Sequence, residues 1–490
     1  METERIYTLY NTVGGEKRVS SNGKIIESID PSTGKVWAHI PDSTENDAQE
    51  AVECARNAFP AWSSLPAMER SAYLRKIGDH LAQFEDELSQ LETRDNGWVI
   101  RETKYGLMPV LASIWYEAAG ACSVAGKGET VQLGKQTVGY TRREPLGVVV
   151  GIIPWNAPLF TFTIKAAAAL AAGNTVVIKP SEHAGVSSLR YGEIVNEILP
   201  PGVLNTVSGD GAAVGETLVS HPSVKKVSLT GSGNTARAIA RSTANDPKPM
   251  VLELGGKSPN IVFADADLKK AANGITVNGI FTGNAGQICV GGSRILIERP
   301  IFEDMLALMK QEIEEQIKLG ATTDFTTSMG PIANAQQYEK VRAYIREGLD
   351  EGGEIVFGGM SGGSALLPGH RELHGGYWVE PTLMRVDTHA LHVCQEEIFG
   401  PVAIVMPFDT EEEAFALAND TSYGLGAGVW TSSLERAHRF IQEVESGSVW
   451  VNTYRRVGPE LPFGGHKQSG FGTDSVMEFT KEKTCYIEIG

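Results

Sequence analysis

The chain has 490 residues, more than one hydrophobic core can organise, so two or three domains are expected. Hydrophobic residues at 42% and charged residues at 21% match globular averages, which excludes a disordered or fibrous protein. A formal net charge of −17 opposes non-specific binding to nucleic acid or anionic membrane, so any bound phosphate must be gripped locally, by loops and helix N-termini.

The opening stretch METERIYTLYNTVGGEKRV has no apolar core or cleavage pattern and does not read as a signal peptide. ENDAQEAVECARNAF (45–59) and AMERSAYLRKIGDHLAQFEDELSQLET (67–93) repeat apolar residues every three or four positions, predicting amphipathic scaffold helices. GETVQLGKQTVGYTRREP (128–145) alternates around glycines and predicts a hairpin. Five short β-branched runs follow: LGVVVGIIP (146–154), NTVVIKPSE (174–182), VLNTVSG (203–209), VKKVSLTG (224–231) and MVLELGG (250–256). Helical stretches such as TIKAAAALAAG (163–173) and VSSLRYGEIVNEIL (186–199) separate most of them. That alternation predicts an α/β fold with a doubly wound parallel sheet. SRILIER (293–299), FEDMLALMKQEIEEQI (303–317), VAIVMPF (402–408) and GSVWVNT (447–453) predict a second α/β domain.

The longest apolar run, 146–154, is too short to cross a membrane. Five scattered cysteines without CxxC spacing suggest free thiols in a reduced, cytoplasmic protein. Ten histidines form no metal-binding pattern, so no metal is expected.

Two features suggest a dinucleotide. Gly231, Gly233 and Ala236 fit G-x-G-x-x-G/A between a strand and a helix, where backbone N–H groups can meet a pyrophosphate, although a tight turn would also need small residues. Glu253, 17 positions beyond Ala236, is then a ribose candidate on spacing. In VVIKPSE a strand ends in Lys179, with Ser181 and Glu182 just after it, so Lys179 and Glu182 are placed for ribose hydroxyls; a solvated loop is the plainer alternative.

IIPWNAP (152–158), KPSE (179–182), SLTGS (228–232), ELGGKSP (253–259), GQIC (286–289), EEIFGP (396–401) and PFGGHKQSGFG (462–472) occur in one order over about 25–485. Together they resemble the aldehyde dehydrogenase superfamily. The resemblance implies that Cys289 is the nucleophile, set among small residues that leave access to its sulfur as an ionised thiolate. It implies that Asn156 and the Cys289 N–H stabilise the oxyanion. Hydride then passes to NAD, or NADP, and Glu253 activates the water that hydrolyses the thioester. Glu253 thus has two candidate roles, and the longer ELGGKSP match favours the base.

The resemblance also makes Lys165 a proton-relay candidate. It gives cofactor contacts to Ile152, Pro154, Trp155, Lys179, Ser181, Glu182, Gly211, Gly215, Thr230, Gly231, Ser232, Thr235, Leu254, Gly255, Glu397 and Phe399, with Gln337 on the adenosine side. Glu182 near the adenosine 2′ position would repel a 2′-phosphate, favouring NAD. Asp474 stands where Glu is common, one methylene shorter.

The substrate tunnel is expected from Ala157, Phe160, Thr161, Ile164, Ile288, Val290, Val457 and Phe463, which suit a hydrophobic aliphatic, terpenoid or aromatic aldehyde. Arg455, with Arg456, offers the alternative of a carboxylate-bearing semialdehyde. Acyl transfer to coenzyme A and a non-catalytic relative are further alternatives. The expected cofactor domain is 1–123 with 145–252, and the catalytic domain 253–465. The resemblance also implies that segments 124–144 and 480–490 form an oligomerisation hairpin and strand, and with them a homodimer or homotetramer.

Overall fold

The computed structural model describes residues 6–458 and 460–488. The first run of apolar segments forms the middle of an eight-stranded sheet. Val148–Ile152 lies between Thr175–Lys179 and Val224–Thr230, all parallel; Leu204–Thr206 and Met250–Glu253 continue the sheet outward on either side. These strands are covered on both faces, which explains why they read as near-continuous valine and isoleucine rather than alternating. The chain proceeds to one side of Val148–Ile152 and then to the other, so a crevice opens at the carboxyl ends of the strands. Ile152, Lys179, Thr230 and Glu253 are the last residues of four neighbouring strands and ring that crevice.

A second sheet of seven strands is centred on Pro259–Val262, Arg294–Glu298 and Val402–Phe408, with Glu354–Phe357 antiparallel at one edge. It has its own core, including Phe263, Phe281, Met305, Met384 and Phe408. The predicted α/β architecture with two sheets is therefore present. The chain then returns to the first sheet, where Gly470–Phe471 pairs antiparallel with Leu252–Glu253. Gly470 has φ +132°, and a Cβ there would lie 1.7 Å from the Leu252 carbonyl oxygen, so only glycine allows this approach.

The hairpin forms from Thr130–Gln132 and Thr137–Pro145, and Thr480–Glu488 pairs with the second strand over nine positions. Residues 489–490 of the expected C-terminal strand lie outside the described residues. The single helix expected over 67–93 is two, Ala67–Leu81 and Glu85–Asn96. Near the N-terminus, strands such as Ile25–Asp30 and Lys35–Pro41 were not anticipated. No described helix is long and apolar enough to cross a membrane, and no described acidic, histidine or cysteine cluster could hold a metal.

Two buried carboxyls on Glu85–Asn96 tie three helices together. Asp95 accepts the Val186 and Ser187 N–H groups at 2.8 and 3.2 Å, at the start of Val186–Asn196. Glu92 accepts the Ser187 hydroxyl at 2.6 Å and the Leu159 N–H at 3.4 Å, at the start of Pro158–Ala171. Burial pushes Glu92 up to about 8 and Asp95 up to about 7. Groups raised on folding stabilise the native state fully below their unfolded pKa, and that stability is lost as pH rises through the folded value. The melting temperature should therefore fall between pH 5 and pH 9. Glu92→Gln, neutral throughout, should flatten the slope; an unchanged slope in thermal melts would discount Glu92 as a source.

Candidate active site

After the helix Leu268–Ile275 the chain runs to Arg294 without regular structure. Ala285 and Gly286 both have positive φ, 55° and 69°, and a Cβ on Gly286 would meet the Gly400 carbonyl at 2.5 Å. Buried Gln287 pins the turn: its amide donates to Asn284 O at 2.7 Å and accepts from Ala333 N at 2.9 Å. Asn156 donates through Nδ2 to Gln287 O at 2.7 Å, joining the PWN loop to the turn two residues before Cys289. An amide nitrogen carries two N–H groups, so this bond leaves Asn156 a second donor. Ala157 and Ile288 are half-buried beside these loops.

The Cys289 sulfur is half-buried rather than open. Burial pushes its thiol up to about 12, with the carboxyls of Glu253 and Glu397 adding to the rise. This corrects the expectation of an ionised sulfur: in the protein alone the neutral thiol is the resting form.

Glu253 ends its strand at 5% exposure, and neither carboxyl oxygen has a hydrogen-bond partner. Burial, then the charge of Asp474, raise it to about 8, while Lys165 opposes the rise. Lys165 is 1% exposed and donates to Asp474 Oδ2 at 2.7 Å and Ser228 Oγ at 2.8 Å. It is therefore a buried, paired lysine and not a solvated helix residue. Ser228, whose side chain the motif reading passed over, also donates to Asp474 Oδ1 at 2.5 Å.

The crevice suits a dinucleotide. The Thr230 hydroxyl is buried and unpartnered at the strand end, and Gly231 N donates to Glu253 O at 3.0 Å. Ser232 accepts the Thr235 N–H at 3.2 Å and caps Gly233–Ser242, a strand–turn–helix of the phosphate-binding kind. Lys179 is buried 3.6 Å from Glu182, and burial lowers its ammonium; Ser181 is half-buried beside them. A Cβ on Gly215 would lie 3.8 Å from the Lys179 chain, whereas Gly211 is exposed. Ile152, Pro154 and Trp155 are half-buried along the adjoining loop.

Glu397 Oε1 accepts the Gly256 N–H at 3.0 Å, and a Cβ on Gly255 would come within 2.1 Å of Oε2. Burial raises Glu397 to about 7. Phe399, at φ 59°, meets Trp155 edge-on with centroids 5.3 Å apart. Leu254 is buried and donates its N–H to Ser469 O at 2.9 Å. Gln337, expected on the adenosine side, is buried. Its amide donates to the Ile398 and Phe399 carbonyls, both at 2.9 Å, bracing the Glu397–Phe399 loop.

A cavity of about 480 Å³ reaches Glu253 and Asp474. Phe160, Ile164, Val457 and Phe463 line it as expected. Thr161 and Val290 do not: the Thr161 hydroxyl bonds to Ala157 O at 2.9 Å on its own helix, and Val290 is packed in the second core. Ala157, Ile288 and Arg455 are likewise absent from the walls. Helix Met108–Ala121 supplies a wall that the sequence reading missed, through Val110, Ile114, Glu117 and Ala118. The only signal was its apolar face, which reads equally well as scaffold packing.

A doubly wound sheet with a nucleotide crevice at its strand ends, beside a cavity walled in part by the buried carboxyl of Glu253, defines the class as a dinucleotide-dependent enzyme. Residues 18–486 match the model of the aldehyde dehydrogenase family, and the chain belongs to that family. Betaine aldehyde dehydrogenase 1 of Rhizobium meliloti (strain 1021) is 40% identical over 483 residues, covering 98% of this chain and 97% of the relative. Among solved structures, betaine aldehyde dehydrogenase of Staphylococcus aureus in complex with NAD+ superposes with TM-score 0.93 at 34% identity, covering 98% of this chain and 95% of that one. HpcC of Thermus thermophilus gives TM-score 0.95 at 36% identity, covering 99% of this chain and 94% of that one.

The raised thiol has a direct readout. In the protein without cofactor, iodoacetamide should label Cys289 at pH 8 more slowly than an ordinary cysteine of pKa about 8.5, with the rate still climbing at pH 10. A labelling plateau below pH 8, followed by mass spectrometry, would contradict the neutral resting thiol.

Proposed function

We propose that the protein oxidises an aldehyde with an apolar body to its carboxylic acid, using NAD and water. The observation that carries the reading is Glu253, an unpartnered buried carboxyl in the wall of the cavity, within the electrostatic reach of Cys289. NAD, when bound, supplies a hydride acceptor, and the strand ends Ile152, Lys179 and Thr230 with Glu397 and Phe399 are the groups that would hold it. Cys289 gives its proton to water and its sulfur bonds to the aldehyde carbon. The second Asn156 N–H and the Cys289 N–H donate to the oxygen that becomes anionic. Loss of hydride leaves a thioester on Cys289. Water then adds to that carbonyl while Glu253 takes its proton, the carbon–sulfur bond breaks, and acid and thiolate separate.

Glu253 must be ionised to act, so turnover limited by hydrolysis should rise with pH through about 8. The same base favours water over coenzyme A as acyl acceptor. The cofactor preference for NAD over NADP rests on Glu182.

Among the described residues no lysine or arginine lines the cavity, and neither Arg455 nor Arg456 is in its walls, which argues against a carboxylate clamp. A second reading is an aldehyde with a distal cation, because Glu117 and Glu460 lie in the cavity wall. The similarity to betaine aldehyde dehydrogenases supports that second reading.

An aldehyde panel followed by NADH absorbance tests the proposal. Carboxylate-bearing aldehydes should show at least about ten-fold lower kcat/KM than matched neutral or cationic ones. Glu253→Gln should lower steady-state turnover about 100-fold or more while leaving one equivalent of NADH formed per site in the first turnover. A variant that hydrolyses normally would remove Glu253 from the mechanism.

A further inference from the structure

Behind Glu253 lies a closed ring of three hydrogen bonds. Lys165 Nζ donates to Asp474 Oδ2 and to Ser228 Oγ, and Ser228 in turn donates to Asp474 Oδ1. Ser228 is fully buried and thus uses its hydroxyl as donor and acceptor at once. The three residues come from distant segments: the helix Pro158–Ala171, the strand Val224–Thr230, and the return loop after Gly470–Phe471.

The ring matters because its two charged members pull on Glu253 in opposite directions, Asp474 raising its proton affinity and Lys165 lowering it. Aspartate is short, and Lys165 is a long, flexible side chain. With Lys165 alone as partner, one carboxylate oxygen of Asp474 would be left without a donor, and the spacing of both charges from Glu253 would be free to change. Ser228 removes that freedom. Two further charged groups lie near the ring: Lys226, buried two residues before Ser228 and on the same face of its strand, and Glu478, 3.7 Å from Lys226 and exposed. Lys226 bears electrostatically on Asp474 and Lys165, Glu478 bears on Lys226, and neither takes part in the Ser228 bonds.

We propose that Ser228 is a positioning residue for thioester hydrolysis: its hydroxyl fixes the Lys165–Asp474 pair beneath Glu253 and so sets the proton affinity at which the base works. This rests on the reading of Glu253 as the base, and it concerns only the second half of the reaction. Thiol attack and hydride loss do not use the ring.

The test is pre-steady-state NADH formation with the full-length enzyme, NAD and a good aldehyde from the panel. Ser228→Ala should leave the rate and one-equivalent amplitude of the first turnover unchanged. It should lower steady-state kcat about ten-fold, with KM within two-fold, and move the acid limb of the kcat–pH profile by half a unit or more. Ser228→Thr, which restores the hydroxyl, should recover most of the loss. If Ser228→Ala does not fold, Ser228→Cys, which keeps the volume but donates weakly, is read in the same way. Steady-state kcat within two-fold of the parent, or burst and steady-state rates falling together, overturns the proposal. Glu253→Gln run alongside separates the two readings. If it still hydrolyses thioester, the base assignment fails; if it does not and Ser228→Ala is silent, only the role of Ser228 fails.

Discussion

Loss of water around a half-buried thiol and the carboxyls near it is the constraint that shapes this site. Burial disfavours a thiolate at Cys289, and Glu253 and Glu397 disfavour it further. Desolvation similarly keeps Glu253 and Glu397 from ionising as easily as they would in water. Such a balance keeps the thiol neutral in the protein alone, and an unionised sulfur is slow to react with oxidants.

The fold supplies this arrangement through strand ends and one returning loop. Parallel strands deliver Ile152, Lys179, Thr230 and Glu253 to one rim because their carboxyl ends all face the same way. The second sheet contributes the loops of Cys289 and Glu397; Gly255 leaves room for the latter carboxyl to reach the Gly256 N–H, and Gly256 leaves room for the Cys289 carbonyl. Gln337 then locks Ile398 and Phe399 in place through two carbonyl bonds.

Backbone-determined features were legible in the sequence. The valine-rich runs announced the parallel sheet, and the turn after Thr230 announced a strand–helix junction, because both depend on residue type at fixed local spacing. The motif loops around Asn156, Glu253, Cys289 and Glu397 could be placed by resemblance alone. Side-chain direction was another matter. Thr161 and Val290 neighbour cavity or catalytic residues in sequence, yet one turns back to its own helix and the other enters a core. A one-residue step reverses facing in a strand and rotates it by about 100° in a helix, so adjacency to a site residue is poor evidence of lining. The wall from Met108–Ala121 was invisible for a related reason: an apolar helix face does not declare whether it meets a core or an open cavity. Ser228 needed three-dimensional proximity to Asp474, 246 residues away.

The return of Gly470–Phe471 to the edge beside Leu252–Glu253 carries a consequence for biosynthesis. A ribosome reaches Lys165 and Ser228 early, but their acidic partner is added 309 residues after the lysine. Until then Lys165 lacks the carboxylate that pairs with it, and Leu252–Glu253 has no strand on its outer side. Products that stop short of Asp474 would therefore carry an open sheet edge and be prone to sticking there.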